Sequence, residues 1–190
     1  MDPREVAIVS GLPRSGTSMM MRMIVTGGIP ALSDGLRAAD EDNPLGYFEL
    51  EAVKTTKKDP SWLDGAPGKV VKLVHILLPD LPLNHSYRVV MLHRNPDEVI
   101  ASQQKMLDRS GKKGAQLPAA ALKNVFNSQM ESVRRWLDSH SNFKRLDVHY
   151  DRVIADPMGE AARVAEFLGI SDMAGKMAAA VDPKLYRNRK

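Results

Sequence analysis

The sequence predicts a three-layer α/β/α fold around a mainly parallel sheet, with residues 1–190 forming one domain. Three observations point there. Short apolar runs of strand length recur at Val6 to Ser10, Val70 to Val74, Arg88 to His93 and Leu146 to Tyr150. Longer segments with helical spacing lie between them, the alternation expected of βα units on a parallel sheet. The first run also leads directly into a glycine-framed turn, Ser10 to Ser18, and then into a methionine-rich segment.

In chain order, Val6-Ala7-Ile8-Val9 is the first strand and Met19 to Ile24 belongs to the first helix. Between residues 27 and 69 the pattern loosens into GGIPALSDG, EDNPLGYFE and KDPSWLDGAPG, rich in turn formers, which we read as loops covering one sheet edge. The second strand lies in VVKLVH. After the third, Asn95 is placed to cap a helix with Pro96 in its first turn. RSGKKGAQ, Arg109 to Gln116, is a second loop. Pro118 to His140 then sets Leu122, Val125, Phe126, Met130, Val133, Trp136 and Leu137 on one side of a long amphipathic helix. That side is core in the simplest reading and a homodimer face in the alternative. Asp156-Pro157 opens a further helix carrying Ala161, Val164, Ala165 and Leu168 before Gly169 stops it. A short helix follows from Ser171 to Val181, ended by Asp182-Pro183. The chain holds no repeat and no linker.

Composition narrows the chemistry. At 43% hydrophobic and 26% charged residues, a chain of 190 residues can bury a full core. It has no cysteine, which excludes disulfides, thiolate metal sites and cysteine nucleophiles and suits a reducing, cytoplasmic setting. The five histidines lack zinc-enzyme spacing, so no metal is expected. No apolar run has the length of a secretory or membrane-crossing segment. The net charge of +4, from 27 basic and 23 acidic residues, suits an anionic ligand. Nucleic acid is not expected, because no basic stripe is interleaved with aromatics.

The turn after the first strand is where an anion would bind. In such a strand-loop-helix, successive backbone N–H groups turn inward and the helix N-terminus adds partial positive charge. Gly11 and Gly16 permit the tight path. A nucleoside-triphosphate loop of the GxxxxGK[ST] type needs a lysine that reaches the outer phosphates. Here Gly16-Thr17-Ser18 lacks it, and the cation has moved into the loop as Arg14. The fold is thus like that of the P-loop NTPases without their lysine.

Leu12-Pro13-Arg14-Ser15-Gly16-Thr17-Ser18 resembles the 5′-phosphosulfate loop, PxSGT[ST], of the sulfotransferases that use 3′-phosphoadenosine 5′-phosphosulfate (PAPS) and release PAP. The resemblance implies that Pro13, Arg14, Ser15, Gly16, Thr17 and Ser18 hold the donor's sulfated end. The donor's 3′-phosphate requires a second site. Arg94-Asn95-Pro96-Asp97-Glu98, with Ser102 eight positions after the arginine, is similar to the family's Arg-[Asn/Asp]-Pro-x-[Asp/Glu] segment and its serine. Arg94 at a strand end supplies a planar, permanent charge where open α/β sheets bind ligands, and Ser102 a neutral partner. A third stretch, VHYDRVIADP with VAEFLGI after it, looks like the family's strand-tyrosine-acid stretch and implies that Tyr150 lies near adenine. Its residues alone allow either a base-packing aromatic or a half-buried core tyrosine.

Transfer needs an acceptor hydroxyl or amine in line with sulfur, a base for its proton, and cations near the oxygen that leaves. Arg14 is one cation and Lys72 a second, since a lysine in a Val-rich strand is hard to explain as core. For the base, Asn43-Pro44-Leu45-Gly46-Tyr47-Phe48-Glu49 resembles the NPxGYFE of bacterial and carbohydrate-directed members, which ranks Glu49 first. The plain alternative is a type I turn before a helix start. His75 is second, because it follows Lys72 by three positions where cytosolic members have Lys-Thr-His. Two further departures concern the nucleotide. Met19 stands where those members carry an adenine-stacking tryptophan, and Tyr186 to Lys190 is the only counterpart of their C-terminal Arg-Lys-Gly.

The leading expectation is therefore a PAPS-dependent sulfotransferase acting on a small-molecule or carbohydrate acceptor. The alternatives are a P-loop nucleotide kinase and a non-catalytic PAP- or PAPS-binding module. Loops at residues 29–69 and 103–118 would shape the acceptor pocket, with Tyr47, Phe48, Trp62 and Met106 as an apolar wall.

Overall fold

The computed structural model describes residues 2–37, 39–40, 46–111, 114 and 117–182. Strands β1 (Val6–Gly11), β2 (Val70–Val74), β3 (Tyr87–His93) and β4 (Phe143–His149) are all parallel and lie in the order β2-β1-β3-β4. Ile8 pairs with Val71 on one side and Val89 on the other, and Leu92 pairs with Val148. The chain runs from β1 outward to β2 and then crosses back to β3. That reversal beside β1 is the switch point at which open α/β sheets leave a crevice beyond the strands' carboxyl ends.

Alternation along the strands explains the three layers. Ala7, Val9, Val90 and Leu92 face a core shared with α1 (Thr17–Thr26), α5 (Pro157–Leu168) and α6 (Ala174–Ala179). Val6, Ile8, Val89 and Met91 face a second core containing Val133 and Leu137 of α3 (Ala119–Asp138). Two buried faces require nearly continuous apolar strands, and every residue of β1 is buried.

The predicted helix ends are present. The Asn95 side chain accepts from Asp97 N at 2.9 Å and opens α2 (Pro96–Ser110). Asp156 Oδ1 accepts from Gly159 N at 2.9 Å at the start of α5, which Gly169 ends with φ 70°. The loosened segment covers an edge as expected. Leu32 N donates to the Val70 carbonyl and Val70 N to the Pro30 carbonyl, which fastens the loop to the outer side of β2.

Four expectations need correction. The fourth strand runs from Phe143 to His149, and Tyr150 is the first residue of α4 (Tyr150–Ala155). Its early part, Phe143-Lys144-Arg145, hides a strand because β4 is an edge whose charges reach Glu5, Asp138 and Asp147. The apolar side of α3 is buried only toward its C-terminal half, and Val125 is 40% exposed. The segment from Ser171 to Val181 divides into a 3₁₀ turn at Ser171–Met173 and α6. Residues 51–55 and 61–65 wind into short 3₁₀ turns that place Val53 and Leu63 in the second core. Asn43, Pro44, Leu45, Pro183 and the C-terminal tail lie outside the described residues. Among the described residues, no helix is long and apolar enough to cross a membrane.

Candidate functional site

The carboxyl ends of the strands open onto a cavity of about 570 Å³. Pro13, Arg14, Gly16, Thr17 and Ser18 line it from the turn between β1 and α1, with the first amides of α1 at its wall. Ser15 lies beneath this surface, fully buried, and its Oγ has no hydrogen-bond partner among the described residues. Gly16 has φ 100°, and a Cβ there would meet Tyr150 Cδ2 at 2.4 Å. Glycine therefore serves both the left-handed turn and the close approach of the ring.

Arg94 enters the same cavity from the end of β3, its side chain only 9% exposed. Its Nε donates to Glu98 Oε2 at 2.9 Å and its Nη1 to the Arg14 carbonyl at 3.1 Å. Its guanidinium carbon sits 4.6 Å over the Tyr150 ring. Ser102, on α2, is buried and its Oγ accepts from Arg14 Nε at 3.0 Å. The two motif segments are thus in direct contact. Tyr150 lines the cavity as a buried ring between Gly16 and Arg94. An orphaned buried hydroxyl, a glycine cradle at a helix N-terminus and two guanidinium groups make a donor set that fits a ligand with two anionic ends.

A second cluster lines the cavity at β2. Lys72 is mid-strand on an edge, yet its side chain is 11% exposed and turned into the cavity. Its Nζ donates to the Tyr47 backbone carbonyl and lies 3.4 Å from Glu49 Oε1. Burial pulls the Lys72 ammonium below its ordinary range, against the opposing attraction of Glu49. Glu49 Oε1 also accepts from Arg37 Nη1 at 3.0 Å, and the Arg37 guanidinium lies 3.4 Å over the Tyr47 ring. Tyr47 donates its hydroxyl to Asp40 Oδ1 at 2.6 Å; burial, aided by that bond, pushes its phenol up to about 12.

His75 stands apart. It is 2% exposed, with Nδ1 3.2 Å from the Gly11 carbonyl and Nε2 3.1 Å from Gln129 Oε1, and it is absent from the cavity lining. Burial lowers its pKa. The cause is local: β2 ends at Val74, and the 3₁₀ turn beginning at His75 carries the ring beneath the loop toward α3. Of the expected apolar wall, Tyr47 and Met106 line the cavity. Phe48 packs on the core behind, and Trp62 joins the other core, donating Nε1 to Thr56 Oγ1.

Sequence reading missed Arg37 and the pair Lys105 and Arg109, which line the cavity from α2. Arg37 sits in irregular chain, where no periodicity announces a contact. Lys105 and Arg109 could have been found, because they follow Ser102 by three and seven positions and share its helical face.

Comparison with known proteins gives one family. The profile described as "Sulfotransferase family" matches residues 50–174. No curated protein sequence matches the chain. Among solved structures, retinol dehydratase in complex with androsterone and inactive cofactor PAP superposes with TM-score 0.56 at 18% identity, over 99% of this chain and 67% of that one. The sulfotransferase domain of the Synechococcus PCC 7002 olefin synthase gives 0.55 at 15% identity, over 99% of this chain and 84% of that domain. Mouse sulfotransferase SULT7A1 complexed with PAP gives 0.54 at 18% identity, over 95% and 65%. At these identities the structural likeness speaks to the fold.

Proposed function

The chain belongs to the sulfotransferase family, and on that premise we propose that it transfers the sulfuryl group of PAPS to a hydroxyl or amine of a small-molecule or carbohydrate acceptor, releasing PAP. The observation that carries this reading is one cavity lined both by Arg14 with Arg94 and Ser102 and by Lys72 with Glu49. Two of the structures named above were solved with PAP, which agrees with this donor.

In this reading the amides at the start of α1 and the Arg14 side chain hold the 5′-phosphosulfate, and Arg94 with Ser102 holds the 3′-phosphate. Tyr150 borders the nucleoside. The Glu49 carboxylate takes the acceptor's proton as the acceptor oxygen or nitrogen attacks sulfur. The bond from sulfur to the bridging oxygen breaks, and its electron pair leaves on the 5′-phosphate of PAP. Lys72 and Arg14 stabilise charge building on that oxygen. Arg37 donates to one Glu49 oxygen and so fixes the orientation of the carboxylate in the cavity. A cytoplasmic setting suits the cysteine-free chain.

The test joins binding and transfer. Calorimetry should show PAP binding, and radiolabelled PAPS should pass label to members of a mixed phenol, amine and sugar panel. Preference for ATP with magnesium over PAP would point to a kinase, and tight PAP binding without transfer to a binding module; either overturns the proposal.

A further inference from the structure

A ligand that carries a base needs flat surface as well as charge, and the cavity offers little of it. Among the described residues its lining holds two aromatic rings, Tyr47 and Tyr150. Each already has a face covered: Arg37 lies 3.4 Å over the Tyr47 ring and Arg94 4.6 Å over the Tyr150 ring. Gly16 also closes on Tyr150, where even a Cβ would meet the ring at 2.4 Å. Tyr150 can therefore offer a base one side at most, and the opposite side has to come from another element.

Helix α1 supplies a candidate. Ser18, Met19 and Arg22 all line the cavity, and spacings of three and four residues put them on one strip of the helix. At about 1.5 Å of rise per residue, Arg22 lies roughly 6 Å past Ser18. A ligand held by its 5′ end at the first amides of α1 meets Met19 and Arg22 next along that helix.

Arg22 is placed to present a plane. Its Nε donates to the Ala180 carbonyl at 3.3 Å, just past α6, which fixes the guanidinium. Satisfying that carbonyl gives no reason for the residue to line the cavity as well. The side chain is half-buried, and burial pulls its pKa below the ordinary guanidinium value against the attraction of Asp182. A guanidinium spreads its charge over a flat, weakly hydrated face that stacks on aromatic rings, and the attraction strengthens as the cation is desolvated.

We propose that Arg22 is the base-binding residue of the donor site: the purine of PAPS stacks on its guanidinium plane, with Met19 beside it as a flexible apolar contact. This rests on the sulfotransferase reading and adds to it the residue that selects the base.

The test measures affinity by calorimetry for PAP and for uridine 3′,5′-bisphosphate, which carries the same two phosphates with a smaller base. The wild type should bind PAP the more tightly. Arg22→Gln and Arg22→Lys should each weaken PAP by at least about fivefold, the lower end of base stacking, and weaken the uridine compound by less, so that the preference shrinks. Lysine tests the plane directly, because it keeps the charge and loses the flat face. Melting curves report loss of the Ala180 contact separately from the affinities. Should one variant fail to fold, the wild-type preference and the other variant still decide. Equal losses for the two ligands would put Arg22 on a phosphate, unchanged PAP affinity in either folded variant would leave it as the α6 contact alone, and a wild type indifferent to the base would remove the platform. Each of these overturns the proposal and leaves the sulfotransferase reading standing. A wild type that binds neither bisphosphate overturns both.

Discussion

Arg14 Nε donates to Ser102 Oγ at 3.0 Å, so the turn after β1 and the helix after β3 meet across 88 residues of sequence. Arg94 closes the same junction from the other side by donating to the Arg14 carbonyl at 3.1 Å. A ligand charged at both ends would engage these three residues as a unit, exchanging the Arg14 to Ser102 bond for bonds to phosphate. Arg94 need not move far, because Glu98, almost fully buried one helical turn along, already orients its guanidinium.

That junction predicts selective loss. Arg94→Gln and Ser102→Ala should each weaken PAP, with Arg94→Gln costing at least about tenfold, since it removes a charged donor where serine offers a neutral one. Neither should change the affinity for adenosine 5′-phosphosulfate, which lacks the 3′-phosphate, by a comparable factor. Calorimetry with the two ligands checks this. Equal losses for both would mean that Arg94 acts through the loop carbonyl and not on phosphate.

Gly16 offers a sharper structural test. Alanine there must adopt φ near 100° and also displace the Tyr150 ring, which a Cβ would meet at 2.4 Å. The backbone term alone is worth about 1–3 kcal/mol. Gly16→Ala should therefore lower the urea midpoint and abolish measurable PAP binding. Retained PAP affinity in a folded variant would show that the loop does not cradle the donor.

The fold was legible from residues whose pattern is local. Val6 to Val9 is apolar on both faces and Val70 to Val74 is so apart from Lys72, the pattern of covered parallel strands; Asn95 and Asp156 cap as their neighbours imply. The strand Phe143–His149 was less legible because its charged residues are satisfied by partners distant in sequence, Glu5 and Asp138. The site divides the same way. Arg14, Arg94 and Ser102 could be read because each sits at a fixed offset from a turn or cap. Arg37 could not, since its contact with Tyr47 and Glu49 depends on the path of an irregular loop. His75 lies outside the cavity lining because β2 ends one residue earlier and the chain turns there, which its spacing from Lys72 does not reveal.

Glu49 and His75 predict opposite behaviour. Glu49→Gln keeps shape and a hydrogen-bonding partner for Arg37 while removing basicity, so PAP affinity should persist and kcat should fall by about 10² to 10⁴. His75→Gln should alter stability more than turnover, because the ring is buried between the Gly11 carbonyl and Gln129. Steady-state kinetics with melting curves separates the two. Turnover abolished in the histidine variant and retained in the glutamate variant would reverse the assignment.

At the opposite end of the sheet, stability should depend on pH through Glu5. The residue is 7% exposed just before β1, with Oε2 accepting from Arg88 Nε and Oε1 3.3 Å from Lys144 Nζ. Burial pushes its pKa up, but the bonds to Arg88 and Lys144 outweigh that and hold the carboxyl below its ordinary value. A group depressed on folding contributes in full above its unfolded pKa of about 4.3, and the contribution fades as pH falls through the lower folded value. Glu5→Gln should then cost about 1–3 kcal/mol at neutral pH, the range for an unmade buried bond to a charged partner. The gap from wild type should narrow as pH falls past the unfolded value and through the lower folded one, where the native side chain also becomes neutral. Urea unfolding at pH 7 and pH 3 measures it. A gap that holds or widens at the lower pH would show that packing, not charge, fixes this corner, and PAP affinity should be untouched in either case because the cavity lies beyond the other ends of the strands.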